Sequence, residues 1–255
     1  MITITSTSTS TSTSTERNDT RPTDFCLLTT EYSSFLRRLR MSAPPPPALT
    51  ALVTRYPALA SCLPVLAQTA TALITTFRRG GKVLLAGNGG SAADCLHIAG
   101  ELLKGFTSLR PLPAAERAAL EERFGVEGAH LGRCLQQGLP AIALPGAIAL
   151  TTAMANDVDP DLAFAQGVMA FGRPEDLLWC LSTSGTARNV LAAARVARWR
   201  GLTTLALTGK DGGPLAPLCD LVILAPGQTT AEIQEHHLPI YHALCESVEV
   251  ALFGP

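Results

Sequence analysis

The 255-residue sequence carries little charge: Asp, Glu, Lys and Arg make up 16% of it, and the formal net charge is -1. Without a basic excess there is no general electrostatic attraction for nucleic acid or for an anionic membrane. Neither partner is expected, so an anionic ligand must be held by local geometry. Long apolar runs are missing too. The most apolar stretch, Leu139 to Met154, is broken by Pro140, Pro145 and Gly146, and no membrane-spanning segment is expected. The first residues are polar where a secretory signal needs an apolar run. The seven cysteines (26, 62, 95, 134, 180, 219 and 245) are odd in number and include no C-x-x-C pair. This spacing argues against a cysteine zinc site and for reduced, mostly buried thiols in a cytoplasmic protein.

What is abundant is aliphatic: 47% of residues are hydrophobic, enough for one α/β domain with a sizeable core. Met1 to Thr15 is almost all Ser and Thr, so residues 1–24 are expected to form a disordered low-complexity tail. Residues 25–79 are expected to form an N-terminal helical segment. It comprises a short helix over Phe25 to Met41, a stiff spacer at Pro44 to Pro47, and helical spacing from Ala48 to Arg79 broken at Pro57 and Pro64. From residue 80 onward, strands and helices alternate as a parallel sheet demands. Strands are expected at Lys82–Ala86, Leu139–Leu144, Asp176–Leu181, Leu202–Leu207 and Leu221–Leu224, with a long last helix beginning near Thr230. The fold class is therefore α/β, a three-layer α-β-α sandwich around a five-stranded parallel sheet. A segment at about 107–138 has no strand pattern and reads as an insertion, part helical from Ala114 to Arg123.

Two glycine and hydroxyl loops, Gly87-Asn88-Gly89-Gly90-Ser91 and Ser182-Thr183-Ser184-Gly185-Thr186, fall where a strand ends and a helix begins. Ligands gather at the carboxyl ends of strands in open parallel sheets, and helix N-termini there favour anions. Glycines allow close backbone approach, while Ser91, Ser182, Thr183 and Ser184 add hydroxyls. Neither loop has nucleotide-binding spacing, and no Walker lysine follows. Either could also be an ordinary strand-to-helix turn. His97 and Glu101 lie four apart on one helix face, and Gln234 and His242 lie on the last helix, about 80° out of phase. This mixed nitrogen and oxygen set suits zinc or another first-row divalent ion, although a His-x-x-x-Glu pair alone also reads as a surface ion pair.

Gly87-Asn88-Gly89-Gly90-Ser91, Asp94 and His97-Ile-Ala-Gly-Glu101 together resemble the sedoheptulose-7-phosphate (phosphoheptose) isomerases of the sugar isomerase (SIS), flavodoxin-like fold. The resemblance continues through Asn156-Asp157, Ser182-Thr183-Ser184-Gly185, Leu207-Thr208-Gly209-Lys210-Asp211-Gly212-Gly213 and Ile233-Gln234-Glu235-His236. It implies a homotetramer with active sites near subunit boundaries, and one zinc per subunit on His97, Glu101, Gln234 and His242. It also implies phosphate on Ser182, Thr183 and Ser184, with Asn88, Ser91 and Asp157 near the sugar; Gly89, Gly90, Thr186 and Gln234 complete the expected substrate contacts. The implied reaction turns D-sedoheptulose 7-phosphate into D-glycero-D-manno-heptose 7-phosphate through an enediol, with Glu101 as base and His242 as acid.

Three departures from the family pattern stand out: Ala187 in place of a phosphate-loop serine, Gly105 in place of an arginine, and the insertion. They bear on which sugar is bound more than on the reaction type, and two other readings stay open beside them. One is an isomerase of a different phosphosugar. The other is a non-catalytic SIS protein resembling the replication-initiator-associating protein, whose kind lacks the acid at Glu101 and the imidazole at His242.

Overall fold

A computed structural model describes residues 44–254. The expected tail at residues 1–24 and the helix over Phe25 to Met41 lie outside the described residues. Pro44 to Pro46 are non-helical, and Pro47 then occupies the first turn of helix α1 (Pro47–Arg55), where its missing N–H would be unpaired anyway. A 3₁₀ turn (Pro57–Cys62) leads into α2 (Leu63–Arg78), so the two prolines break the run where the sequence places them.

Five parallel strands follow: β1 (Val83–Gly87), β2 (Ala141–Ala143), β3 (Leu177–Ser182), β4 (Thr203–Gly209) and β5 (Leu221–Ala225). Their order is β2-β1-β3-β4-β5. The chain moves outward from β1 to β2 and then returns to the other side of β1 for β3. This reversal opens a crevice above the carboxyl ends of β1 and β3, where ligands bind in such sheets.

Both faces of the sheet are covered, which explains strands that are apolar at nearly every position. Val83, Leu85, Leu177, Trp179, Leu181, Leu205 and Leu207 pack on one face with Leu49, Leu66, Leu73, Ile98, Ile240 and Leu244 from helices. Leu84, Ala86, Leu178, Cys180 and Ala206 pack on the other with Phe164, Val168, Val190 and Ala194. Each large aliphatic side chain buried in this way stabilises the fold by roughly 1.5–3 kcal/mol.

The helices of the sheet domain are α3 (Gly90–Leu103), α4 (Ala114–Cys134), α5 (Ile148–Asp157), α6 (Ala163–Phe171), α7 (Arg188–Trp199) and α8 (Thr230–Phe253). Helix α8 opens with a capping box between Thr229 and Glu232. The insertion holds more helix than its sequence suggests, because α4 runs on from Arg123 to Cys134. Gly125 (φ 58°, ψ -134°) is non-helical and divides α4 in two. Gly132 then lies against Arg117, so the second half folds back along the first.

By length and composition alone Pro57–Arg78, with mean hydropathy 1.5, could cross a membrane. Leu66, Ala70, Ala72 and Leu73 from this run are buried in the core, so its apolar face is spent on packing within the chain.

Candidate active site

Helix α3 starts directly from the loop after β1, and α8 packs against it. His97 and Glu101 are one turn apart on α3, with His97 Nε2 3.1 Å from Glu101 Oε1. His242 of α8 brings its Nε2 to 3.3 Å from His97 Nε2. One ligand atom from each of the three lies within 4.8 Å of the others. Tetrahedral bonds of about 2.0–2.1 Å separate ligand atoms by about 3.3 Å, and the two close spacings here match that.

The protonation pattern supports the same reading. Tyr241 Oη donates to Asp94 Oδ1 at 3.3 Å and lies 3.0 Å from His97 Nδ1. With its own proton committed to Asp94, the phenol oxygen accepts from His97 Nδ1–H. The lone pair of His97 then sits on Nε2, facing a carboxylate oxygen and another imidazole nitrogen. Such a nitrogen beside a carboxylate oxygen and a second imidazole suits a shared cation, and a hydrogen-bonded far nitrogen is how metal-binding imidazoles are oriented. Burial, followed by the neighbouring His97, pushes the His242 imidazole towards its neutral form, against the pull of Glu101. Burial raises the Asp94 carboxyl, and the hydrogen bonds from Gln234 and Tyr241 oppose this. The set fits a divalent metal ion.

Gln234, the fourth expected ligand, meets the start of α3 and is linked to the trio through Asp94 and Tyr241. Its Nε2 is 3.5 Å from Asp94 Oδ2, and its amide sits against Gly90 so closely that a Cβ on Gly90 would collide with it. Glycine at the first position of α3 is what gives Gln234 its place.

Across the crevice, the loop after β3 is only partly free for a ligand. Ser182 is the last residue of β3 and is buried; its Oγ accepts from Gly185 N at 3.2 Å. Ser184 Oγ and Thr186 Oγ1 lie 2.8 Å apart and are exposed, and Thr183 is half-buried. Ala187 is the N-cap of α7 and offers no side-chain cap; within that first turn Val190 N donates to Asn189 Oδ1 at 2.9 Å. Asn88 is exposed, and Ser91 is buried in the first turn of α3. Gly89 (φ 55°) makes the turn into that helix. Asp157, at the end of α5, is exposed and accepts from Asn156 Nδ2 at 2.7 Å; it makes no hydrogen bond to the histidine cluster.

Three features escaped the sequence reading. Asn189 forms a reciprocal amide pair with Asn88 (2.8 and 2.9 Å) that ties the two loops together. Tyr241 orients His97, and its position next to His242 was the available signal. Asp94 was visible as part of a motif, but its role as the anchor of Tyr241 was not. Asp211 behaves as a turn residue, its Oδ1 accepting from Gly213 N at 3.0 Å.

The departure at Gly105 has a steric cause. Any Cβ there would collide with Ser108 O and lie 3.0 Å from Gln136 Oε1, which already accepts from Gly105 N at 2.7 Å. Gln136, brought in by the insertion, closes the space an arginine side chain would need.

A doubly covered parallel sheet, with a glycine-rich and a hydroxyl-rich loop and a metal-competent His–Glu–His centre at its switch point, defines an SIS-domain sugar-phosphate enzyme. The SIS domain family pattern matches residues 140–248. The chain is 40% identical over 190 residues to the phosphoheptose isomerase of Roseiflexus sp. (strain RS-1), covering 74% of this chain and 83% of that protein. It is 44% identical over 186 residues to that of Chlorobaculum parvum, covering 72% and 78%. Among solved structures, the phosphoheptose isomerase from Francisella tularensis aligns with TM-score 0.62 and 28% identity over 86% of this chain and 96% of that one. The one from Neisseria gonorrhoeae aligns with TM-score 0.59 and 30% identity over 78% and 94%. The chain belongs to the phosphoheptose isomerase family.

Proposed function

We propose that this enzyme converts D-sedoheptulose 7-phosphate to D-glycero-D-manno-heptose 7-phosphate through a 1,2-enediol. The observation that carries the reading is the convergence of His97, Glu101 and His242 on one point beside the loop pair. The non-catalytic alternative provides no reason for an acid and two imidazoles to meet there.

The phosphate end of the sugar rests on Thr183, Ser184 and Thr186 and on the amides of Arg188 and Asn189 at the start of α7, with Ser182 shaping the loop from beneath. Thr186, exposed and bonded to Ser184, stands in for the hydroxyl that Ala187 lacks. Asn88, Gly89, Gly90, Ser91 and Asp157 contact the sugar. Glu101 removes the proton from C1 of the ketose and returns it at C2. A carboxylate has two oxygens, so Oε1 can face the histidines while the second oxygen serves as base. His242 passes a proton between the two sugar oxygens as the carbonyl moves from C2 to C1. Such acid–base assistance contributes typically about 100- to 10,000-fold. A zinc ion, one per subunit on His97, Glu101, Gln234 and His242, would polarise the carbonyl and stabilise the developing oxyanion. The working form is a cytoplasmic homotetramer with its sites near subunit boundaries. The domain division is a tail at residues 1–24, a helical segment at 25–79 and the SIS domain from 80 onward.

A panel of ketose phosphates, followed in D₂O by NMR, tests the proposal. Sedoheptulose 7-phosphate should give an aldose carrying deuterium at C2, and Glu101→Gln should slow the reaction by at least about 100-fold. Turnover of a pentose or hexose phosphate alone would overturn the substrate; an aldose with no deuterium at C2 and no sensitivity to Glu101→Gln would overturn the enediol route.

A further inference from the structure

One buried ion pair lies outside the site just described. Glu249 of α8 and Arg110, in the loop after α3, both have side chains with no solvent exposure. Arg110 Nε donates to Glu249 Oε1 at 2.7 Å. The same carboxylate accepts from Phe106 N (2.8 Å), Thr107 N (2.8 Å), Thr107 Oγ1 (2.6 Å) and Ser108 N (3.1 Å). The rest of the guanidinium faces α3: Nη1 donates to Leu102 O at 2.8 Å and Nη2 to Glu101 O at 3.2 Å. These are among the last carbonyls of α3, which no amide of the helix itself can satisfy. Burial would raise the Glu249 carboxyl, but the hydrogen bonds from Thr107, Phe106 and Arg110 outweigh it and bring it down to about 2.

The network therefore links three things the reaction needs in register. It holds the main chain of Glu101 itself. It grips α8 two turns beyond His242. It also fixes the loop bearing Phe106, whose ring lies 5.3 Å from that of His242. The pair also gives partners to three loop amides and two helix carbonyls, so it serves folding as well as geometry. The planar fork of arginine, which bonds a carboxylate and two carbonyls together, is a geometric device that lysine cannot copy.

We infer that Arg110 and Glu249 are positioning residues, a brace that sets the separation of α3 and α8 so that Glu101 and His242 meet at one ion. The inference rests on the metal-centre reading above and adds to it what fixes that centre's dimensions.

The test compares the full-length wild type with Arg110→Lys and with the double variant Arg110→Met/Glu249→Leu, which removes both charges together and leaves neither unpaired. Folding is checked by circular dichroism and thermal melting, Zn(II) affinity by competition with a chromophoric chelator, and kcat and KM by the isomerase assay. Ring ¹⁵N chemical shifts of the histidines in the metal-free proteins supply a readout that needs no metal. Both variants should fold, bind Zn(II) about 10- to 100-fold more weakly, lose kcat with little change in KM, and show displaced His97 and His242 resonances. Folded variants with wild-type Zn(II) affinity, kcat and histidine shifts would overturn the brace. Should the double variant fail to fold, Arg110→Lys alone decides. Should the wild type bind no Zn(II), the metal reading fails on its own, and the histidine shifts still judge the brace.

Discussion

At the scale of single residues, what matters is which side chains are denied their usual partners. His97 is exposed at its edge, yet both ring nitrogens are engaged. His237, five residues before His242, is the opposite case: it is fully buried, and neither ring nitrogen has a well-formed hydrogen bond, although it lies near the Thr208 main chain. Burial leads the causes that lower its pKa from 6.5 to about 4. Between those two values the unfolded chain binds a proton that the folded chain refuses, so stability is full above about pH 6.5 and falls as the pH drops towards 4. His237→Leu should flatten that part of the curve, as measured by urea midpoints at pH 4, 5 and 6.5. An unchanged slope would mean that another group titrates there.

At the scale of elements, the site is the product of two helices and two loops. The strand-loop-helix units were legible because their strands are nearly pure apolar runs that end in glycine and hydroxyl residues. Their expected boundaries lie within a residue or two of those found, β2 being shorter at both ends. Ser182 moved from loop to strand for the same reason: the register with Thr208 of β4 extends that far. The second half of α4 was not legible, because Gly125, Gly128 and Gly132 weaken any helical reading while serving as the bend and the contact points between its halves. Nor was the Arg110–Glu249 pair, since its partners are 139 residues apart and charged residues are ordinarily assigned to the surface. The contact of Gly90 with Gln234 gives this scale its prediction. Gly90→Ala should keep the fold, displace the Gln234 amide and weaken Zn(II) binding about tenfold or more, read by the same chelator competition. Wild-type affinity in that variant would remove Gln234 from the ligand set.

At the scale of the whole molecule, strand order does the assembling. Placing β1 beside β3 sets the two anion-favouring loops next to each other, and the Asn88–Asn189 pair closes the gap between them. Helix α8 then brings one imidazole from near the end of the chain to the metal-competent face of α3. The insertion adds a folded-back helix at the edge of this arrangement and, through Gln136, takes the space of a side chain at position 105. None of this alters the convergence of His97, Glu101 and His242, on which the functional account depends. The most direct test strips the full-length protein of metal with a chelator and restores Zn(II) in steps, following isomerase activity and bound metal together. The account predicts that activity disappears on stripping, returns in proportion to bound zinc and saturates at one ion per chain. Full activity in protein shown to contain no metal would contradict it.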